Sequence, residues 1–256
     1  MDIRCLTLDW GDTLAASCGM PHLGAQKIAF AGLERDLKAL GCTPDDDWLA
    51  DTLDEFTAAW HHSADPLRNP EHREFDFLAI LDRHVARAGA IGAEPAALGR
   101  AIGKALHILT ETVVPYGTSA NVLSLLKARG YRLGILSHVP LPGEACRAWF
   151  VRHGLAPYID FYSLSCEIGW IKPSPRHFRH ALEAAGCAPG MVLHVGDHPM
   201  RDVAGAKAMG MRTCLRLTEH LHDEVAMAAC APDLTILHLG ELPTALARLQ
   251  SSAGAR

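Results

Sequence analysis

The chain has 256 residues, 49% of them hydrophobic and 21% charged, and a formal net charge of −5. That length suits one large domain or a domain carrying an insert, and the composition is that of a soluble globular protein. The negative balance argues against non-specific nucleic-acid binding. No apolar run approaches the roughly 20 residues that cross a bilayer. Met1-Asp2-Ile3-Arg4 is not a basic stretch leading into a long apolar one, so no secretory signal is expected. Eight cysteines occur without a C-x-x-C pair, which points to a reduced, cytoplasmic protein rather than a zinc or redox motif. Fifteen histidines are scattered, and the adjacent His61 and His62 cannot share a helix face.

The stretch Ile3 to Leu14 begins as an apolar run and ends in Asp9, Gly11, Asp12 and Thr13. It reads as a buried strand delivering polar residues to a turn. Residues 15–113 then read as helical, with apolar residues at three- and four-residue spacing over 24–40, 46–62, 74–88 and 95–112 and no convincing strand. Asp45–Asp47 and Asn69-Pro70-Glu71 suit helix starts, and Gly41 and Gly89 suit stops. Pro115-Tyr116-Gly117 marks a return.

From there strands and helices alternate. The predicted order is helix 121–129, strand 131–136, helix 142–153, strand 161–164, helix 175–185, strand 191–195, helix 202–209, strands 213–217 and 234–237, and helix 243–250. The tail 251–256 is expected to fray. This alternation predicts an α/β fold: a Rossmann-like, three-layer core with a parallel sheet and right-handed connections. The expected domains are an α/β core from 1–14 and 114–256 and an all-helical cap from 15–113.

Four strand ends carry complementary polar groups: Asp9 and Thr13, Ser137, Lys172, and Asp197 with Asp202. Ends of parallel strands face one way, so these groups can converge. Three converging carboxylates repel one another, and a divalent cation with few protein ligands, such as Mg²⁺, relieves that repulsion. Lys172, Ser137 and Thr13 offer the charge and hydroxyls that a phosphoryl group needs, and Asp9 can act as a carboxylate nucleophile.

Four ordered blocks resemble the haloacid dehalogenase-like hydrolase superfamily. They are Leu8-Asp9-Trp10-Gly11-Asp12-Thr13-Leu14, Leu133-Gly134-Ile135-Leu136-Ser137-His138, Gly169-Trp170-Ile171-Lys172-Pro173, and His194-Val195-Gly196-Asp197 with Asp202-Val203-Ala204-Gly205-Ala206. Pro232-Asp233 and Leu239-Gly240-Glu241-Leu242-Pro243 also fit. The resemblance implies a Mg²⁺-dependent phosphatase in which Asp9 forms an aspartyl phosphate. It implies metal contacts from Asp9, the Gly11 carbonyl and Asp197, with Asp202 orienting the metal's waters. Thr13, Ser137 and Lys172 would hold the phosphoryl oxygens. The expected partner is a small phosphorylated molecule, with neither nucleic acid nor membrane, and the chain a monomer or homodimer.

One position departs from that pattern. Phosphatases of the family carry a second Asp two residues after the nucleophile, as acid and base; here Gly11 stands there and Asp12 follows. Asp12 is a candidate for the role, but a one-residue shift redirects a side chain. His138, after Ser137, is a second candidate, for substrate contact or proton relay. The loss leaves other readings: a weakly active binding or regulatory protein, a C–X or C–P bond hydrolase, or a phosphotransferase. Trp10 would wall the pocket or pack in the core, and His22, His61, His62, Arg68 and Arg73 are cap residues that would face substrate or solvent.

Overall fold

The computed structural model describes residues 2–17, 22–218 and 229–254. The chain runs β1 (Cys5–Leu8), β2 (Ala15–Ser17), α1 (His22–Ala39), α2 (Trp48–Ala64), α3 (Phe77–Arg87), α4 (Pro95–Thr110) and β3 (Val113–Pro115). It continues through α5 (Ser119–Ala128), β4 (Arg132–Ser137), α6 (Gly143–Arg152), β5 (Phe161–Leu164), α7 (Ser165–Ile168), α8 (Pro175–Ala185) and β6 (Val192–Gly196). A wide helical turn (Pro199–Ala204) leads into α9 (Gly205–Ala208), then β7 (Arg212–Arg216), β8 (Leu234–Ile236) and α10 (Leu242–Gly254).

Two compact units result. The first comprises Met1–Ala16, Pro115–Val139 and Phe150–Arg256; the second comprises Ser17–Val114 and Pro140–Trp149. The first holds a six-stranded sheet in the order β5-β4-β1-β6-β7-β8, with every neighbouring pair parallel. Every residue of β1 and β6 is buried, as a sheet covered on both faces demands. Helix α8 buries His177, Phe178, Ala181 and Ala185, a stripe at helical spacing. Phe178, Ala181 and Ala185 pack with Cys5, Leu136, Val192, Ala206 and Met211. The chain builds outward from β1 to β4 and β5, then crosses to β6, β7 and β8. The order therefore reverses beside β1, and a crevice opens beyond its carboxyl end.

The second unit is built on α1 to α4. Phe30 stacks on Phe56 at 4.9 Å, and Phe56 meets Phe77 at 4.5 Å. Trp48 is buried and donates its indole N–H to the His84 carbonyl at 2.7 Å. Asp76 and Glu94 cap α3 and α4 through their side chains, at positions where such oxygens accept otherwise orphaned N–H groups.

Three local expectations are corrected. Strands β2 and β3 lie partly within the stretch read as strand-free, because three residues are too few to show an alternation. Residues 165–168, given no element from the sequence, form the short helix α7. The helix expected over 202–209 is a wide turn from Pro199 followed by α9, since Pro199 starts a turn that pattern alone does not shape. The last helix, expected over 243–250, runs on to Gly254, and residues 255–256 of the tail lie outside the described residues. None of the seven described cysteines forms a disulfide, and Cys18 lies outside the described residues. Among the described residues no helix is long and apolar enough to cross a membrane.

Candidate active site

Asp9 follows β1 directly. Its backbone N–H donates to the Val195 carbonyl at 2.9 Å, so the sheet ladder reaches the residue itself. Its Oδ1 accepts from the Trp10 N–H at 2.9 Å and lies 3.0 Å from Lys172 Nζ. Oδ2 has no donor among the described residues. One carboxylate oxygen is thus held and the other left open.

Lys172 is 2% exposed, not the solvated loop charge that a Lys before a Pro suggests. Its ammonium donates to Asp202 Oδ1 at 2.5 Å and to the Leu136 carbonyl at 3.2 Å. Burial pulls its pKa down, but the charges of Asp202 and Asp9 outweigh burial and the net shift is upward.

Asp202 is 1% exposed. Besides Lys172, its Oδ1 accepts from His194 Nε2 at 3.0 Å, and its Oδ2 accepts from the His198 N–H at 2.9 Å. Burial raises its pKa; Lys172 and the His194 hydrogen bond reverse that and hold the carboxyl well below the usual range. An ionised carboxylate only accepts, so His194 Nε2 carries a proton, and its Nδ1 shares a hydrogen bond of 3.0 Å with the Thr7 hydroxyl. Gly196 makes this packing possible: a Cβ there would lie 2.2 Å from Asp202 Cγ.

Asp197 follows β6. Ligand oxygens of Asp9, Asp197 and Asp202 lie within 4.8 Å of one another. Burial, and then the charges of Asp202 and Asp9, push the Asp197 carboxyl up to about 8. A cation relieves such crowding, and an all-oxygen donor set suits a hard ion such as Mg²⁺.

Thr13 is fully buried, with its Oγ1 unpartnered. Ser137 ends β4, buried and paired in register with Leu164, one residue past the carbonyl that Lys172 grips. Its neighbour His138 is half-buried. Trp10 packs in the core, its ring 5.7 Å from that of Phe150. Gly11 has an ordinary backbone, and a Cβ built on it meets nothing within 4 Å.

Asp12 has a left-handed backbone, φ 50°, which costs a non-glycine residue roughly 1–2 kcal/mol. Arg216, at the end of β7, donates its Nη1 to the Asp12 carbonyl. A hydrogen bond to a charged donor contributes about 1.5–3 kcal/mol, enough to offset that strain.

His61, His62, Arg68 and Arg73 are exposed in the second unit, Arg68 against Asp65 and Arg73 against Glu71, each at 3.3 Å. The His22 side chain lies outside the described residues.

Sequence reasoning missed His194, Thr7, Tyr116 and Arg216. His194 stood inside a motif already singled out, two residues before Gly196 and on the same strand face. Arg216 ends a strand, the signal that found Ser137, but an arginine there reads as a solvated charge.

Residues 25–210 match the model of the haloacid dehalogenase-like hydrolase family. The chain belongs to that family. Among curated relatives, the chain is 34% identical over 116 residues to a glyceraldehyde 3-phosphate phosphatase of Methanothermobacter thermautotrophicus, covering 43% of this chain and 50% of that protein. It is 39% identical over 98 residues to a phosphoserine phosphatase of Thermus thermophilus, covering 38% of each. The chain thus spans half or less of the length of these two relatives. Among solved structures, a haloacid dehalogenase-like phosphatase from Thermococcus onnurineus superposes with TM-score 0.62 at 20% identity, covering 95% of this chain and 98% of that one. A 2-haloacid dehalogenase from Pseudomonas syringae superposes with TM-score 0.60 at 26% identity, covering 96% and 99%. The parallel α/β sheet is the haloacid dehalogenase-like fold.

Proposed function

We propose that the chain is a Mg²⁺-dependent phosphatase acting on a small phosphorylated molecule through an aspartyl phosphate on Asp9. The observation that carries this reading is Asp9 itself. It stands at the end of the central strand, one oxygen held by Lys172 and the Trp10 N–H and the other open. The phosphatase names of the curated relatives support the same reaction class.

Asp9 Oδ2 attacks phosphorus, and the bond to the leaving oxygen breaks with its electron pair going to the leaving group. Water then attacks the phosphoryl group, releasing inorganic phosphate and regenerating the carboxylate. The Thr13 and Ser137 hydroxyls and the Lys172 ammonium hold the phosphoryl oxygens. Asp9, Asp197 and the Gly11 carbonyl would bind Mg²⁺, with Asp202 orienting its waters; the ion supplies neutralisation of phosphoryl charge. Lys172 keeps Asp9 oriented, and His194 and the His198 N–H keep Asp202 against Lys172.

Without an acid at position 11, substrates whose leaving group departs unprotonated, such as acyl phosphates, are favoured. Phosphate release from acetyl phosphate, an aryl phosphate and an alkyl phosphate, each with and without Mg²⁺, tests this. The expected result is Mg²⁺-dependent release, fastest from acetyl phosphate. No release from any of them sinks the reading. The dehalogenase likeness favours a second reading, C–X hydrolysis, which metal-independent chloride release from a 2-haloacid would establish. Against it stands the retained Asp197, for which metal-independent cleavage has no use.

Gly11→Asp should raise the alkyl phosphate rate by up to about 10²–10⁴-fold, the usual worth of general acid–base help. Acetyl phosphate should change little. The open space around Gly11 and its ordinary backbone mean that the new side chain enters without strain.

A thermal-shift titration reads the cation directly. The Asp197 carboxyl titrates at about 8 when folded, against about 3.9 unfolded. Between those values the folded state holds a proton that the unfolded state has lost, so stability falls as pH rises. A cation that binds the ionised trio cancels that fall. The gain in Tm on adding Mg²⁺ should therefore grow from pH 5.5 to pH 8; a gain that shrinks with pH would count against the assignment.

A further inference from the structure

Arg216 carries a buried guanidinium, 8% exposed, that the reaction above leaves unused. Its Nη1 donates to the Asp12 carbonyl, and its Cζ lies 4.2 Å from the Tyr116 ring centroid. Its Nε is buried and unpartnered, and no carboxylate pairs with it among the described residues. The one backbone group it grips belongs to the left-handed residue of the Asp9–Thr13 turn, 204 positions away in sequence. Further along that turn, the Leu14 and Ala15 N–H groups both donate to the Trp10 carbonyl, at 3.0 Å each. The turn is therefore closed by its own backbone at one peptide and by an outside cation at another.

We propose that Arg216, seated on Tyr116, is a positioning residue for phosphoryl binding. It holds the Asp12 peptide in the left-handed conformation and thereby aims the Thr13 hydroxyl and the Gly11 carbonyl at the site. The proposal rests on the phosphatase reading. Tyr116 supplies the platform: a guanidinium stacked on an aromatic face and bonded to a backbone carbonyl has little freedom to swing away. Lysine matches the charge but not the planar fork.

The test compares wild type, Arg216→Lys, Arg216→Met, Asp12→Gly and the double variant Arg216→Met/Asp12→Gly. It reads kcat and KM on acetyl phosphate and the affinity for orthovanadate with Mg²⁺. Displacement of about 1 Å costs reactions up to about 10²-fold, so Arg216→Met should lose about that in kcat and in orthovanadate affinity. Arg216→Lys, which keeps the buried charge and with it the fold, should lose about tenfold. Asp12→Gly removes the Cβ that makes the left-handed state costly, so the double variant should lose less than the product of the two single losses. Added guanidinium should partly restore Arg216→Met. Retention of kcat and orthovanadate affinity within twofold in Arg216→Lys and Arg216→Met overturns the proposal while leaving the phosphatase reading intact. So do losses that multiply with Asp12→Gly and resist guanidinium, because a merely structural role predicts them. If Arg216→Met does not fold, Arg216→Lys alone decides. A wild type that neither turns over acetyl phosphate nor binds orthovanadate overturns the phosphatase reading, and this proposal with it.

Discussion

Asp9→Asn should abolish phosphate release, by at least about 10³-fold in kcat, while the protein melts no lower than wild type. The activity loss follows from chemistry: an amide oxygen is a poor nucleophile, and substitution of a covalent nucleophile removes most of an enzyme's advantage. The stability outcome follows from crowding. Asp9, Asp197 and Asp202 place carboxylate oxygens within 4.8 Å of one another, and the Asp9 charge contributes to the raised pKa of Asp197. Removing one of the three charges relieves that repulsion. Lys172 keeps Asp202 as its partner at 2.5 Å. Active sites commonly trade stability for activity in this way. Malachite-green phosphate assays and thermal melts on the same preparation read both effects. Residual activity near that of wild type would remove Asp9 as nucleophile; a lower Tm would show that its charge is structural.

Lys172→Met should cost about 3–5 kcal/mol, the range for breaking a buried ion pair by removing one partner. Asp202 is 1% exposed and loses its charge partner, keeping only His194 and the His198 N–H. The methionine fills the volume of the lysine stem, so the loss measures charge rather than cavity. Its pH dependence has a definite sign. Asp202 has a folded pKa depressed by Lys172, so its stabilising contribution is present above the unfolded value of about 3.9 and fades as pH falls towards the folded one. The gap between wild type and Lys172→Met should be full above about pH 5 and narrow progressively as pH falls below about 4. Urea midpoints across that range measure it. The double variant Lys172→Met/Asp202→Asn should be less destabilised than Lys172→Met, because no buried charge is left uncompensated. Equal destabilisation of the two would mean that the lysine acts through packing alone.

Much of this site was legible in the linear chain. Asp9, Lys172, Asp197 and Asp202 were found because parallel strands send their ends to one edge, and an apolar run broken by a polar residue marks such an end. The same rule was available for Arg216 but pointed the wrong way, since an arginine at a strand end ordinarily extends into water. Only the packing of β7 against its neighbours, and of Tyr116 beneath the guanidinium, turns that charge inward. His194 shows a different limit. Its place on a buried strand predicts burial, but whether it faces Thr7 and Asp202 depends on which strands flank β6.

The sequence by itself determined the alternation of strands and helices, the helical stretch between the first two core elements, and the four polar strand ends, because hydrophobic period and glycine placement are local properties. The tertiary structure decided the strand order β5-β4-β1-β6-β7-β8, the burial of Lys172 between two carboxylates, and the left-handed state of Asp12 under Arg216. Each of these depends on groups far apart in the chain meeting in a low-dielectric interior, where partners change the favoured charge and conformation of a residue. No window of neighbouring residues carries that information.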